Sequence, residues 1–240
     1  MQSQRCYICG ETLIPVPKGH NGPFLPKHCT SDHVPPKGIF DDPKPSNLIT
    51  VLCCRECNGR HSGFDERLRM FAALEIGRNP GGENILTKKV FGSTMAKLRQ
   101  REFVTSIAQT LRHEVVERPS GLESVAVFTI SADLIYPGVI NIVKGLLTHF
   151  YPRYDYSDDD FAVCDIHEAT LAKGDAERQT MIINEMVTKT VSDTRGNNNE
   201  FRFWRHVESE SGAWLLAFYE GVLFSVLHGK AELMERFKRP

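Results

Sequence analysis

The sequence predicts an α+β protein in three parts: a loop-rich N-terminal unit, a helical connector and a C-terminal α+β domain with an antiparallel sheet. Three observations lead to this prediction. Cysteines cluster near the N-terminus, with six of the seven before residue 58. Apolar residues then recur at helical spacing, and further on they alternate as they do in half-buried strands. We place the three parts at residues 1–78, 79–118 and 119–240.

The N-terminal unit is predicted to be mostly loop. Residues 10–47 are rich in proline, glycine and lysine and show little periodicity, which is typical of turns. A short apolar run at 48–52 predicts one strand. Over residues 58–76 apolar side chains recur every three or four positions. This spacing predicts an amphipathic helix that ends at the glycine-rich segment 77–82.

The connector and the C-terminal domain alternate between helical and strand patterns. Residues 87–117 carry an apolar stripe with interspersed basic residues and are predicted to be helical. The turn-rich segment 118–121 marks the domain boundary. Beyond it the patterns predict a buried strand at 125–130, a helix at 137–150, and strands at 201–207, 213–219 and 222–227, the last two joined by a hairpin turn at Glu220-Gly221.

Charge is divided unevenly between the two halves of the chain. Residues 1–120 contain 17 basic and 12 acidic residues, whereas residues 121–240 contain 12 basic and 18 acidic ones. A basic first half suits contact with phosphates, and an acidic second half does not. The N-terminus lacks the apolar run of a signal peptide, and no 18 apolar residues occur together. We therefore expect a cytoplasmic protein that does not enter a membrane.

Two cysteine pairs have the spacing of a zinc site. Two residues separate Cys6 from Cys9, and two residues separate Cys54 from Cys57. Such a gap lets one tight turn present two thiolates to one ion, and two pairs complete a tetrahedral zinc site. Cys53 is an alternative to Cys54, although only Cys54 keeps the spacing. The loops between the pairs have too little apolar content to fold unaided, so we expect a structural zinc to stabilise them.

Between the cysteine pairs lie residues suited to phosphodiester hydrolysis. That reaction needs an activated water and a cation that stabilises charge on the phosphoryl oxygens. His33 suits the role of base, because imidazole titrates near neutral pH. Asp32 points to the opposite side of an extended chain from His33, where its carboxylate can hold a hard cation. Asn58, at the start of the predicted helix, offers a carboxamide oxygen as a second ligand.

The order of these elements resembles the zinc-clamped HNH (ββα-metal) nuclease family, and especially its small bacterial members. The matching elements are a CxxC pair, Asp-His-Val-Pro-Pro-Lys at 32–37, Asn-Leu at 47–48, and a second CxxC followed by Asn58. The resemblance covers about residues 5–72. It implies a ββα-metal core and DNA cleavage that leaves 5′-phosphate and 3′-hydroxyl ends. It also implies that Asn47 pins the loop carrying the histidine by hydrogen bonds.

Two positions depart from the family pattern. Asn58 stands where histidine is common, and its oxygen ligand favours Mg²⁺ or Mn²⁺ over softer metals. His61 stands where lysine is frequent, and is either a contact to phosphate or metal or a plain surface histidine. Arg55, Arg60 and Arg67 flank the site and are candidates for phosphate contacts, with solvated helix charges as the alternative for each.

We therefore predict a metal-dependent DNA endonuclease with a structural zinc. The alternative is a nucleic-acid-binding or adaptor module that keeps the zinc frame while its catalytic cation site is idle. The pair His28-Cys29 is a candidate for further metal ligation, with a non-ligating cysteine as the favoured interpretation. By analogy with the family, the protein is a candidate subunit of a bacterial anti-phage system. It would be gated by a partner such as an ATPase, or would assemble as a homo-oligomer through the acidic C-terminal domain.

Overall fold

The computed structural model of the chain describes residues 4–74, 80–88, 98–118, 121–152, 156–165, 191–195, 200–208 and 210–230. It is an α+β protein with antiparallel sheets, as the sequence predicts. The helices and strands in chain order are β1 (Cys29–Val34), β2 (Ile49–Cys54), α1 (Arg55–Ala73), α2 (Pro80–Asn84), α3 (Leu98–Thr110), β3 (Arg112–Arg118), β4 (Gly121–Val127), α4 (Ala132–Phe150), β5 (Phe161–Asp165), β6 (Val191–Arg195), β7 (Phe201–Glu208), β8 (Ser211–Phe218) and β9 (Val222–His228). None of the helices in the described ranges is long and apolar enough to cross a membrane.

The N-terminal unit contains a two-stranded hairpin followed directly by a helix. Strands β1 and β2 pair antiparallel, with Cys29 opposite Cys54 and Val34 opposite Ile49. Strand β1 lies within a segment that the sequence predicted to be loop. It is extended because β2 supplies its hydrogen-bonding partner, and a weakly periodic sequence does not reveal such a partner. Helix α1 begins at Arg55, the residue after β2 ends.

The start of α1 is tied to the surrounding loop. Helices leave their first backbone N–H groups without partners inside the helix, and other groups must accept from them. The Cys54 sulfur accepts from the backbone N–H of Cys57 (3.4 Å). The backbone N–H groups of Arg55 and Glu56 donate to carbonyl oxygens of the loop just before β1, each at 3.0 Å. The first turn of the helix is thereby held against the segment that leads into β1.

The connector is only partly helical. Helices α2 and α3 lie within residues 79–118, but Arg112–Arg118 form strand β3. The prediction of helix up to residue 117 is therefore wrong for this part. The consecutive β-branched residues Val115 and Val116 favour an extended chain, and β4 pairs with β3 along its whole length. Residues 89–97, within the same predicted helix, lie outside the described residues.

The strand predicted at 125–130 lies at 121–127 instead, and Phe128 and Ile130 just beyond it are half-buried against the core. In the hairpin of β3 and β4 itself, two large apolar side chains are exposed. Val115 is 68% exposed and Leu122 is 78% exposed. Apolar alternation indicates a strand, but it does not show whether a helix or a second sheet packs on the apolar face. Each of these two strands pairs only with the other in the described part of the sheet topology.

The C-terminal part of the chain forms a five-stranded antiparallel sheet in the order β5-β9-β8-β7-β6. The predicted hairpin between β8 and β9 is confirmed, with Phe218 opposite Val222. Tyr219 and Glu220 in the turn have positive φ angles of 51° and 60°. Two consecutive residues with positive φ are what a tight hairpin turn needs to match the twist of its strands.

One hydrophobic core joins the N-terminal unit to the C-terminal sheet. Val34 of β1, Leu68 of α1, Leu146 of α4 and Phe224 of β9 belong to the same buried cluster. Helix α4 lies between the two parts and packs against both α1 and the sheet. The boundary expected near residue 118 therefore does not divide the hydrophobic core in two.

A buried lysine also fastens α4 to the N-terminal unit. The Lys144 side chain is 3% exposed, and its ammonium lies 2.6 Å from the Asp158 carboxylate. The same ammonium lies 3.5 Å from the backbone oxygen of Ile8, between the first two cysteines. A buried ammonium is tolerated only when paired and hydrogen-bonded, so these contacts hold the three segments together.

A substitution at Gly145 tests the packing of α4. At this glycine the helix approaches β1 so closely that an added Cβ would collide with both methyl groups of Val34. Overpacking costs about 1–3 kcal/mol, whereas alanine gains up to about 1 kcal/mol of helix propensity over glycine. We expect Gly145→Ala to lower the free energy of unfolding by about 1–2 kcal/mol in urea denaturation.

Gly63→Ala is the matched control. Gly63 lies in α1, and nothing stands within 4 Å of the position of its absent Cβ. The substitution should leave stability unchanged or raise it by up to about 1 kcal/mol. If both variants were equally stable, α4 would not be packed against β1 as described.

Candidate functional site

Four cysteines from the two predicted pairs come together. The sulfur atoms of Cys6, Cys9, Cys54 and Cys57 all lie within 4.8 Å of one another. The Cys9 and Cys54 sulfurs are 3.9 Å apart, close to the ~3.8 Å expected for thiolates around a tetrahedral zinc with Zn–S near 2.3 Å. Cys53 is buried beside them but is not in the group, so the two-residue spacing identifies the fourth member correctly.

Burial and contacts within the cysteine group shift the pKa values of these thiols in different directions. The pKa of Cys6 is lowered to about 4, chiefly because of the hydrogen bond between its sulfur and that of Cys53 (3.7 Å). Burial raises the pKa of Cys57, and Arg60, whose guanidinium donates to its sulfur (3.3 Å), partly offsets this effect. The pKa of Cys54 is raised as well, so four adjacent thiols could all ionise only beside a cation that neutralises them. The donor set therefore suits a metal ion of the zinc type.

His28 and Cys29 stand apart from the cysteine group. His28 is buried, and its Nδ1 accepts from the backbone N–H of Leu25 (3.1 Å). The half-buried Cys29 has its sulfur 4.0 Å from the carbonyl oxygen of Thr30. Neither residue belongs to a metal-ligating group among the described residues.

Asp32 and His33 lie side by side in β1 with their side chains held in different ways. The Nδ1 atom of His33 is 3.1 Å from Oγ1 of Thr50, its partner across the hairpin. The Asp32 Oδ1 atom accepts from the backbone N–H of His33 (2.8 Å). Burial and the charge of Lys37 lower the pKa of His33, and the charge of Asp32 opposes them. The lowered pKa favours the neutral imidazole, which is the form that can accept a proton.

Asn58 lies one turn into α1 and faces the hairpin. Its side-chain Nδ2 donates to Oγ1 of Thr30 (3.1 Å). Alternate residues of a strand share a face, so Thr30 and Asp32 lie on the same face of β1. The hydrogen bond brings the Asn58 carboxamide to the face that carries Asp32.

Two further residues join this group, and the sequence interpretation did not include them. The hydroxyl of Tyr7 donates to Oδ2 of Asp32 (2.7 Å). Burial and the nearby charge of Asp32 raise the pKa of the Asp65 carboxyl to about 7. Asp65 follows Asn58 by seven residues, which is two helical turns and hence the same face of α1. That spacing was a visible signal for Asp65, whereas nothing local in the sequence points to Tyr7.

Asn47 lies in the exposed turn that leads into β2. The strand after it begins at Ile49, which pairs with Val34, the residue after His33. Asn47 is therefore close along the hairpin to the segment that carries the histidine.

The three arginines predicted to contact phosphates have different surroundings. The Arg55 guanidinium lies 4.3 Å from the ring centre of Phe24, which is 47% exposed. Arg67 lies 5.5 Å from the ring centre of Phe64. Arg60 contacts the sulfur of Cys57 and thereby supports the cysteine group. Of the three, Arg55 combines an exposed position with an aromatic neighbour.

His61 faces α4 and is not a plain surface histidine. Asn141 Nδ2 donates to its Nδ1 (2.5 Å), and burial lowers its pKa. It lines a cavity of about 840 Å³ together with Arg60 and Lys144. A neutral imidazole bonded through Nδ1 is a hydrogen-bond donor through Nε2 and adds no fixed positive charge for a phosphate.

No family model, curated protein or solved structure matches the chain.

Proposed function

We propose that the chain is a metal-dependent endonuclease of the HNH type that hydrolyses DNA phosphodiester bonds. One observation carries the proposal. The hydrogen bond from Asn58 to Thr30 brings a carboxamide to the face of the hairpin that carries Asp32, the residue before His33 in β1. A carboxylate, a carboxamide and a neutral imidazole are the groups that cation-assisted hydrolysis requires.

The structural metal in this proposal is zinc. Cys6, Cys9, Cys54 and Cys57 would bind it as thiolates, and the chain between the two pairs carries Asp32, His33 and Asn47. Zinc would stabilise the loop-rich stretch between the pairs, because binding free energy is folding free energy in such sites.

Each proposed catalytic residue has a distinct task. In the tautomer whose Nδ1–H donates to Thr50, His33 would accept a proton from the attacking water through Nε2. Asp32 and Asn58 would hold Mg²⁺ or Mn²⁺, which stabilises charge on the phosphoryl oxygens when bound. Asn47 would hold the turn beside β1. The Asp65 carboxyl, near Asp32 and with its pKa raised to about 7, would be fully charged only beside a cation bound at this place.

Counting metal ions separates this proposal from an idle binding module. We expect one zinc per chain and one further Mn²⁺, and we expect the Mn²⁺ to be lost in Asp32→Ala while the zinc remains. Elemental analysis and calorimetric titration with Mn²⁺ measure the two ions. One zinc with no second ion in the wild type would favour the nucleic-acid-binding or adaptor module.

Arg55 is the proposed phosphate contact with the clearest test. Each phosphate neutralised by a protein cation contributes about 0.9 to the slope of log K against log salt concentration on B-DNA. We expect Arg55→Ala to weaken DNA binding and reduce that slope by about 0.9. Fluorescence anisotropy of a labelled duplex measures this slope between about 50 and 200 mM salt, a range over which such affinities change strongly. All chains in this experiment also carry His33→Ala.

Arg112→Ala is the control for Arg55. Arg112 is also exposed, but it lies in β3 and is paired with Glu114 (2.7 Å). We expect its loss to leave the salt slope unchanged. Equal slopes for the wild type and both variants would remove Arg55 from the proposed DNA contacts.

A further inference from the structure

Tyr7 connects the cysteine group to the proposed catalytic carboxylate. It lies between Cys6 and Cys9, two members of that group. Its hydroxyl donates to Oδ2 of Asp32 at 2.7 Å. The Tyr7 side chain thus connects the segment that would bind zinc to Asp32, which would hold the catalytic Mg²⁺ or Mn²⁺.

The position of the Tyr7 hydroxyl is determined by its surroundings. The backbone N–H of Tyr7 donates to the carbonyl oxygen of Leu52 in β2 (3.2 Å). Its side chain packs both against the cluster around the cysteines and against the main hydrophobic core. The turn that contains it is closed by a hydrogen bond from the Gly10 N–H to the Cys6 carbonyl (2.9 Å). The ring can move little unless the cysteine group moves with it.

Asp32 is held by two donors from different parts of the chain. Its Oδ1 accepts from the adjacent N–H of His33 (2.8 Å), and its Oδ2 accepts from Tyr7. Each carboxylate oxygen can accept a further bond, so both remain capable of binding a cation. Partners that orient a ligating carboxylate are worth about 10–100-fold in metal affinity or activity.

We infer that Tyr7 is a positioning residue for Asp32. Through Tyr7, the segment that carries Cys6 and Cys9 controls the affinity of the proposed catalytic site for Mg²⁺ or Mn²⁺. This inference rests on the proposed function. The zinc site would then affect cation binding as well as folding, because loss of zinc would release the Tyr7 hydroxyl that orients Asp32.

Tyr7→Phe tests the inference, because it removes the hydroxyl and keeps the ring. Calorimetry on the zinc-loaded chain measures the Kd for Mn²⁺, and plasmid cleavage measures the rate as a function of Mn²⁺ concentration. We expect the Kd to rise about 10–100-fold while zinc content and melting temperature stay at wild-type values. We also expect saturating Mn²⁺ to restore most of the maximal cleavage rate.

Tyr136→Phe is the matched control, since Tyr136 is a partly buried tyrosine of α4 that packs against Phe224. It should bind Mn²⁺ like the wild type.

A Tyr7→Phe chain that loses zinc, or that cleaves slowly even at saturating Mn²⁺, would show a structural role and overturn the inference. So would an unchanged Kd. If the wild type neither binds Mn²⁺ nor cleaves DNA, the proposed function itself fails; if it does both, an unchanged Kd in Tyr7→Phe defeats only this inference.

Discussion

Cys54→Ser should abolish zinc binding and unfold the segment that the two cysteine pairs enclose. Cys54 has three roles, as the last residue of β2, as the acceptor that caps α1 and as a member of the cysteine group. Structural zinc contributes an apparent binding free energy of about 10–16 kcal/mol in small zinc domains. That is as large as the whole net stability of a typical domain, about 5–15 kcal/mol. We expect zinc content to fall from one per chain to near zero, and limited proteolysis to cut residues 10–48.

Cys29→Ser separates this effect from the general cost of losing a cysteine. Cys29 stands opposite Cys54 in the hairpin but does not belong to the cysteine group. Its replacement should keep one zinc per chain and the wild-type resistance to protease. If both variants kept zinc, the ligand assignment would be wrong. If both lost it, Cys29 would have to be included.

His33→Ala should abolish DNA cleavage without loss of either metal. A general base contributes about 10²–10⁴ in rate, which is about 3–5 kcal/mol of transition-state stabilisation. The His33 ring is half-buried and bonds to Thr50 at the hairpin surface, so we expect its removal to leave the core intact. We expect kcat to fall by at least about 100-fold, with zinc content and melting temperature unchanged.

His206→Ala is the control for the loss of a histidine. His206 is an exposed residue of β7, paired with Glu208 (3.0 Å) in the C-terminal sheet. Cleavage by this variant should match the wild type. An equal loss of activity in both variants would mean that the assay reports a general effect and not the proposed base.

Patterns confined to short segments predicted much of this fold. The hairpin of β8 and β9 was predicted because Glu220-Gly221 separates two apolar runs, and the turn geometry depends on those few residues. The cysteine group was predicted because each pair needs only its own tight turn. Helix α1 was predicted from its apolar spacing, although its start at Arg55 is set by contacts with the preceding loop.

Features that depend on distant partners were not predictable in this way. Strand β1 forms because β2 pairs with it, and β3 forms within an amphipathic stretch that fits a helix equally well. The packing of α4 on β1 requires Gly145 to approach Val34, more than a hundred residues earlier. The contact of Tyr7 with Asp32 also joins separate segments. Such contacts leave no periodic signal in a single sequence.

The proposed site therefore depends on the fold as a whole and not on the first 78 residues alone. Helix α4 covers α1, and Lys144 reaches the cysteine segment at Ile8. His61, a predicted contact to phosphate or metal, bonds to Asn141 of α4. The acidic second half of the chain thus contributes a helix that supports the proposed nuclease unit.

Cleavage of supercoiled plasmid is the most direct test of the nuclease assignment. Zinc-loaded wild type and His33→Ala are compared side by side with Mg²⁺, Mn²⁺ or Ni²⁺, and without added divalent cation. We predict that the wild type nicks or linearises the plasmid with Mg²⁺ or Mn²⁺, and that His33→Ala leaves it supercoiled. If the two chains behave alike with every cation, the proposed catalytic site is contradicted.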